Sequence, residues 1–397
     1  MVRKFLAFLL AVVPLSSSVR GEFMLNALTG FGGSDGWLSP AESVSDGLAT
    51  STGALGTTNL QRGLAYYGPR NELYVMDRNN GNFVRVLDGS SGAVLRTLDT
   101  TGILTTGATF NSNMLGVGGD GAIYLANLAT NAPQPFRMYR WADSTAGVAP
   151  AIAFNANIAG IATAGGRTGD AFAVFGSGAS TRIVASGNAS GLTTFDTTDG
   201  TNFTQTGANI VTGIPTSATR LAVEFINADT AIGKSTGTPF YSVALPAEGS
   251  ASSAQPAGTT FNNTALLGGL QSGNENLLGY YGPNSLLATI ETNLASPLAI
   301  NTVRIYGASN LNSLSLFSTA NLVNPIDAIL NSNAVGDLTF GVSPTGDLRL
   351  YAMNTNNGIQ AFSITAVPEP SSIALATLGV VGIVVRRRQL ANRKQVS

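Results

Sequence analysis

One hairpin-like unit recurs through this chain, and it constrains the fold more than any other feature. It reads "LAYYGPRNELYVMD" (64–77), "LGVGGDGAIYLAN" (115–127), "IATAGGRTGDAFAVF" (161–175), "IPTSATRLAVEF" (214–225), "LGYYGPNSLLATIE" (278–291) and "FGVSPTGDLRLYAM" (340–353). Each copy joins a small apolar strand to an alternating one through a turn rich in Gly, Pro, Ser or Asp. With Glu72, Ala122, Ala171, Arg220, Ser285 and Asp347 taken as equivalent, the spacings are 50, 49, 49, 65 and 62 residues. After the first unit, "NFVRVLDG" (82–89) and "AVLRTLDT" (93–100) follow across a Ser-Ser-Gly turn, making four strands in one period.

Four antiparallel strands repeated about every 40 to 60 residues are the pattern of a β-propeller blade, a unit stable only against its neighbours. The expected fold is therefore all-β, a propeller of six or seven four-stranded blades; the competing architecture is a tandem pair of β-sandwiches. After the last anchor only "LRLYAMN" (348–354) and "GIQAFSIT" (358–365) remain. The segment 22–62 is thus expected either to supply the strands missing from a sixth blade or to form a seventh. The wording of the first blade, "ELYVMDRNNGNFVRVLDGSSGAVLRTL", resembles bacterial surface propellers with NHL and quinoprotein-like repeats, a resemblance that implies fold and nothing about substrate.

Composition agrees with a strand-rich body, since only 11% of the 397 residues are charged. Cysteine and histidine are both absent, which removes disulfides, thiol chemistry and any histidine base or metal ligand. Eight of the 21 basic residues lie at the two ends, whereas all 22 acidic residues lie between Glu22 and Glu369. The body between them carries thirteen basic residues, a single lysine (Lys234) among them. Such an acidic body argues against a nucleic-acid partner.

The ends read as addresses. "MVRKFLAFLLAVVPLSSSVRG" (1–21) has a basic start, an apolar run and small residues after Pro14, the order of a secretory signal peptide. At the other end, Val367-Pro368-Glu369-Pro370 precedes an uncharged run from Ile373 to Val385, which Arg386, Arg387 and Arg388 stop. The prolines favour an extended linker, and the arginine cluster would stay on the cytoplasmic side. The run spans only about 20 Å as a helix against a hydrocarbon core of about 30 Å, which suits a transient hold better than a permanent anchor. These three parts in order resemble the PEP-CTERM sorting signal of exported bacterial proteins. The resemblance implies an exosortase-like membrane enzyme as partner, cutting near Pro368–Pro370 and passing the body to the cell envelope or extracellular matrix.

The expected organisation is a signal peptide at 1–21, a ring-closing or extra-blade segment at 22–62, propeller repeats at 63–366 and the sorting signal with a short transmembrane helix at 367–397.

Sites of chemistry are few. Asp77, Asp88, Asp120, Asp170, Asp196, Asp199 and Asp347 stand beside turns, and "DRNNGN" (77–82) and "DTTDGTN" (196–202) loosely resemble calcium loops. Neither has the full alternating ligand set, and Asp in turns ordinarily bonds its own backbone. No cofactor is expected, calcium being the one ion these oxygens would suit. "GVGGDG" (116–121) lacks the Lys-Ser/Thr and helix of a phosphate loop and reads as a hairpin turn. Tyr66, Tyr67, Tyr280, Tyr281, Trp37 and Trp141 are read as packing between blades before sugar platforms. Arg62, Arg70, Arg78 and Arg85 are read as a solvated face with local ion pairs. No catalytic residue is assigned. The expected function is an exported, non-enzymatic scaffold for contact with extracellular polysaccharide or surface protein. Two alternatives are a carbohydrate- or lactone-active enzyme using channel carboxylates and calcium, which needs at least two carboxylates converging at one end of the channel, and a self-assembling surface-layer component.

Overall fold

The computed structural model describes residues 22–45, 55–78, 81–130, 134–158, 166–188, 191–207, 211–236, 238–251, 254–260, 275–292, 300–331 and 333–367. The expected signal peptide at 1–21, the sorting residues Pro368, Glu369, Pro370 and Arg386–Arg388, and the expected short transmembrane helix lie outside them. Phe23–Thr365 forms one compact unit.

Alternating apolar positions build six antiparallel sheets. Blade one is β3 (Gln61–Tyr67), β4 (Glu72–Asp77), β5 (Phe83–Asp88) and β6 (Val94–Thr97), and blade two is β7 (Phe110–Val117), β8 (Ile123–Leu128), β9 (Phe136–Trp141) and β10 (Ala151–Ala156). Blade three is β11 (Ala171–Phe175), β12 (Arg182–Gly187), β13 (Gly191–Thr197) and β14 (Phe203–Gln205). Blade four is β15 (Ala222–Asn227), β16 (Thr230–Lys234), β17 (Tyr241–Ala244) and β18 (Ala257–Thr260). Blade five is β19 (Glu275–Tyr281), β20 (Leu286–Glu291), β21 (Val303–Gly307) and β22 (Ser315–Ala320). The sixth holds β23 (Gly336–Val342), β24 (Leu348–Asn354) and β25 (Ile359–Ala366), and its outer strand is β1 (Phe23–Ala27) from the other end of the body. The short β2 (Trp37–Leu38) also pairs with β25.

The innermost strands β3, β7, β11, β15, β19 and β23 adjoin one another in a closed ring. The architecture is a six-bladed β-propeller. Two units sit in a different frame from the one the repeat predicts. Ala171 begins an innermost strand and Arg220 lies two residues before one, whereas the second strands of those blades begin at Arg182 and Thr230. Residues 214–221, which imitate a strand and its turn, are turns leading into β15.

A propeller blade is apolar on both faces, because each face meets another blade. Six buried clusters correspond to the six blade interfaces; Tyr74, Val86, Ile123, Tyr139 and Trp141 join blades one and two, for example, and Leu25, Ala288, Ile305, Leu350 and Phe362 join blades five and six. The repeated "YYGP" is one turn used twice. A short 3-10 turn at Gly68–Arg70 ends on left-handed Asn71, and its copy at Gly282–Asn284 ends on left-handed Ser285. Gly68 also lets blades six and one meet, since a Cβ there would stand 1.8 Å from the Val342 carbonyl oxygen.

Charge holds blades three and four together at one buried point. Arg182, 3% exposed, donates through Nε to Asp196 at 2.7 Å and through its terminal nitrogens to the carbonyls of Ala228 at 2.7 Å and Pro246 at 2.8 Å. Replacing it with Met would strand the buried Asp196 carboxylate, so R182M is expected to lose about 3–5 kcal/mol. The check is the urea midpoint at unchanged slope; a loss under about 1 kcal/mol would show that Asp196 is adequately solvated without it.

Candidate functional site in the axial channel

Side chains alternate between the two blade faces, so the free backbone edge of each innermost strand is what faces the axis. Leu64, Leu115, Phe172 and Asp337 line the middle of the channel, with Glu224, Tyr280 and Phe340. Two residues earlier on the same chains stand Arg62, Asn113, Asp170 and Val335, which line a second cavity nearer the strand starts together with Arg78, Arg167 and Arg220. Channel and mouth are therefore successive levels of one axial structure.

The middle level holds two carboxyl groups. Asp337 accepts hydrogen bonds from the backbone N–H groups of Leu64 and Leu338, both at 3.0 Å. Burial among the six strands pushes its carboxyl well above the usual carboxylate range, and those two donors only partly oppose this. Glu224 is raised well above its ordinary value too, first by burial and then by the nearby Asp337. Each keeps some surface toward the channel, but that narrow space is walled by Leu, Phe and Tyr side chains.

The mouth is basic. Asp170, 8% exposed, accepts from Arg167 at 2.5 Å and from Arg220 at 3.4 Å. Arg78 donates to Asn113 at 3.3 Å and lies over the Phe110 ring at 4.6 Å. Neither Arg62 nor Arg78 has a carboxylate within ion-pair distance among the described residues. Burial holds Arg78 down to about 9, with Arg62 adding repulsion. It holds Arg62 down to about 10, where Asp170 opposes the fall and Arg167 adds to it.

The arginines read together from the sequence thus separate. Arg62 and Arg78 meet at the mouth, while Arg70 pairs with Glu72 at 3.1 Å and Arg85 with the buried Asp77 at 3.5 Å. Arg62 and Arg78 form no solvated face, because both are half-buried and line one cavity with Arg167 and Arg220. The sequence reading also passed over Glu224 and Asp337. Their signal is a single acid in an otherwise apolar innermost strand, "AVEFIN" and "GDLTFGV".

The turn aspartates serve their own backbones or arginines. Asp199 accepts from the N–H groups of Thr201 and Asn202, both at 2.7 Å, and these bonds hold its carboxyl far below the usual range. Asp88 accepts from Ser90 and Ser91, and Asp120 from Ala122 and Gly178. Asp347 accepts from Ser343 and Thr345. No three acidic side chains converge among the described residues. The glycines at 116–121 make the β7–β8 hairpin turn, closed by a Gly118 to Ala122 hydrogen bond of 2.8 Å. Trp37 and Trp141 are buried, and their indole N–H groups donate to the carbonyls of Asn357 and Asp99. Tyr66 is buried, Tyr67, Tyr280 and Tyr281 are half-buried, and Tyr280 faces the channel.

The model of the PEP-CTERM protein-sorting motif matches residues 366–388. The chain carries a PEP-CTERM sorting signal. That signal implies export and processing at a membrane by an exosortase. No helix among the described residues is long and apolar enough to cross a membrane. No curated protein matches the sequence significantly. Among solved structures, the body is similar to a DUF4623 family protein from Bacteroides eggerthii, at 18% identity and a TM-score of 0.56, covering 83% of this chain and 74% of that one. A protein of unknown function from Bacteroides thetaiotaomicron aligns at 11% identity and 0.47, covering 77% and 70%. A gluconolactonase from Xanthomonas campestris aligns at 10% identity and 0.41, covering 78% and 87%. The first likeness speaks to fold alone, and the other two carry no argument about activity.

Proposed function

We propose that this protein is a non-catalytic contact module of the cell envelope or extracellular matrix, delivered there by its sorting signal. One observation carries the reading. The last strand, β25, ends at Ala366, the first residue of the matched motif, while the ring is closed by β1 from the opposite end of the body. A cut near Pro368–Pro370 therefore removes no strand of the propeller.

The test is terminal-peptide and intact-mass mapping of the protein from washed envelopes and from culture medium. A C-terminus at or near Pro368–Pro370, without the arginine tail, is expected. Recovery from membranes of a chain still ending at Ser397 would contradict processing. Saturable hydrolysis of a lactone or glycoside by the purified protein would contradict the non-catalytic role.

A further inference from the structure

The mouth of the channel carries an electrostatic imbalance that the body does not resolve. Four guanidinium groups, from Arg62, Arg78, Arg167 and Arg220, face one cavity of about 190 Å³ that contains a single carboxylate, Asp170. Asp170 engages Arg167 and Arg220, leaving Arg62 and Arg78 without an acidic partner among the described residues. The Nε atoms of Arg62, Arg78 and Arg167 are buried and lack hydrogen-bond partners. Buried polar atoms are nearly always satisfied, and a guanidinium stays charged even when burial opposes it. Four cations cradled together are expected of a site whose missing component is an anion, since arginine forks match planar and tetrahedral oxyanions.

We propose that this mouth binds a small oxyanion, carboxylate or phosphate, either free or borne by an acidic sugar. Arg62 and Arg78 supply the unpaired charge. Asp170 holds Arg167 and Arg220 in place, and Asn113, anchored by its donation to the Gly169 carbonyl at 2.6 Å, fixes Arg78. The cavity has room for about six waters, enough for one charged group and a few attached atoms. Asn333, exposed in its lining, offers an amide to neighbouring hydroxyls. The charge surplus sets the class, because a neutral ligand would leave the same guanidiniums unpaired. This goes beyond the contact role proposed above, and terminal mapping and a binding isotherm succeed or fail independently.

The test is calorimetric titration of the full chain at low ionic strength with inorganic phosphate, galacturonate and galactose. Saturable binding of phosphate, galacturonate or both is expected, weakening as sodium chloride is added, with none for galactose. Tighter phosphate binding would assign the phosphate source, and tighter galacturonate binding the sugar carboxylate. R62Q and R78Q are each expected to weaken binding about tenfold or more, while R140Q, on the outer part of blade two, leaves it unchanged. Should R62Q or R78Q not fold, thermal melting of the unaltered chain gives a second readout. Galacturonate or phosphate should then raise the melting temperature saturably relative to sodium chloride of equal ionic strength. Absence of saturable binding by either anion, equal binding of galactose, or full affinity in R62Q and R78Q would overturn the site.

Discussion

Deletion of residues 23–38 is expected to abolish cooperative folding of the propeller. This segment supplies β1, the outer strand of blade six, and β2, which pairs with the same strand β25. Four of its large side chains are buried: Leu25, Phe31, Trp37 and Leu38, at 8%, 0%, 8% and 7% exposure. At about 1.5–3 kcal/mol for each buried side chain, they contribute roughly 6–12 kcal/mol, comparable with the whole stability of a typical domain at about 5–15 kcal/mol. The deletion would also bare the hydrogen-bonding edge of β25, which invites aggregation. Phe31→Ala is the graded version. Phe31 packs beside Tyr351, with ring centroids 5.7 Å apart, and its loss should cost about 3–5 kcal/mol. Circular dichroism melting and limited proteolysis would read both. A deleted protein that melts as sharply and as high as the intact one would show that the ring closes without its N-terminal strand.

The second large effect is a fall in stability as pH rises, centred on the channel. Glu224 and Asp337 are both raised well above their ordinary values, chiefly by burial. Between the ordinary carboxylate pKa and the raised folded value, the folded protein holds protons that the unfolded chain has released. Stability therefore falls with rising pH across that window, by about 1.4 kcal/mol per pH unit for each fully responding group. The lowered carboxyls, Glu72, Asp99, Asp143 and Asp199, act oppositely. They withdraw stability only as pH falls below the ordinary carboxylate range, so measurements above pH 5 separate the two sets. Glu224→Gln keeps the shape and removes one titrating group along with its repulsion of Asp337. Urea unfolding from pH 5 to 8.5 should give a shallower decline for E224Q than for the unaltered chain, and greater stability at the alkaline end. Identical slopes would mean that water reaches the pair freely.

The two carboxyls and the arginine mouth show where the sequence stops being informative. "GVGGDG" and the two "YYGP" turns could be read locally, because glycine and proline impose their backbone geometry wherever they stand. The sorting motif was legible for a similar reason, since a membrane and its enzymes read linear order. Arg62, Arg78, Arg167 and Arg220 are spread over 159 positions of the chain, and nothing in their local surroundings says that they share a cavity. Arg62 was grouped with Arg70 and Arg85 by proximity along the chain, although a turn and a strand send those two to other partners. The frame of blades three and four was misread because "IATAGGRTGD" and "IPTSATR" have the composition of a strand and its turn.

What the sequence determined by itself was local and periodic: the strand-turn rhythm, the all-β class, the lack of thiol and histidine chemistry, and the C-terminal sorting address. Tertiary structure alone decided the number of blades, because closing a ring depends on how many sheets pack edge to edge and on which strand completes the last. It alone also decided the site. The closed ring sets the innermost strands and the segments leading into them around one axis, and so brings charges far apart in the chain, each unremarkable in its own segment, into one channel.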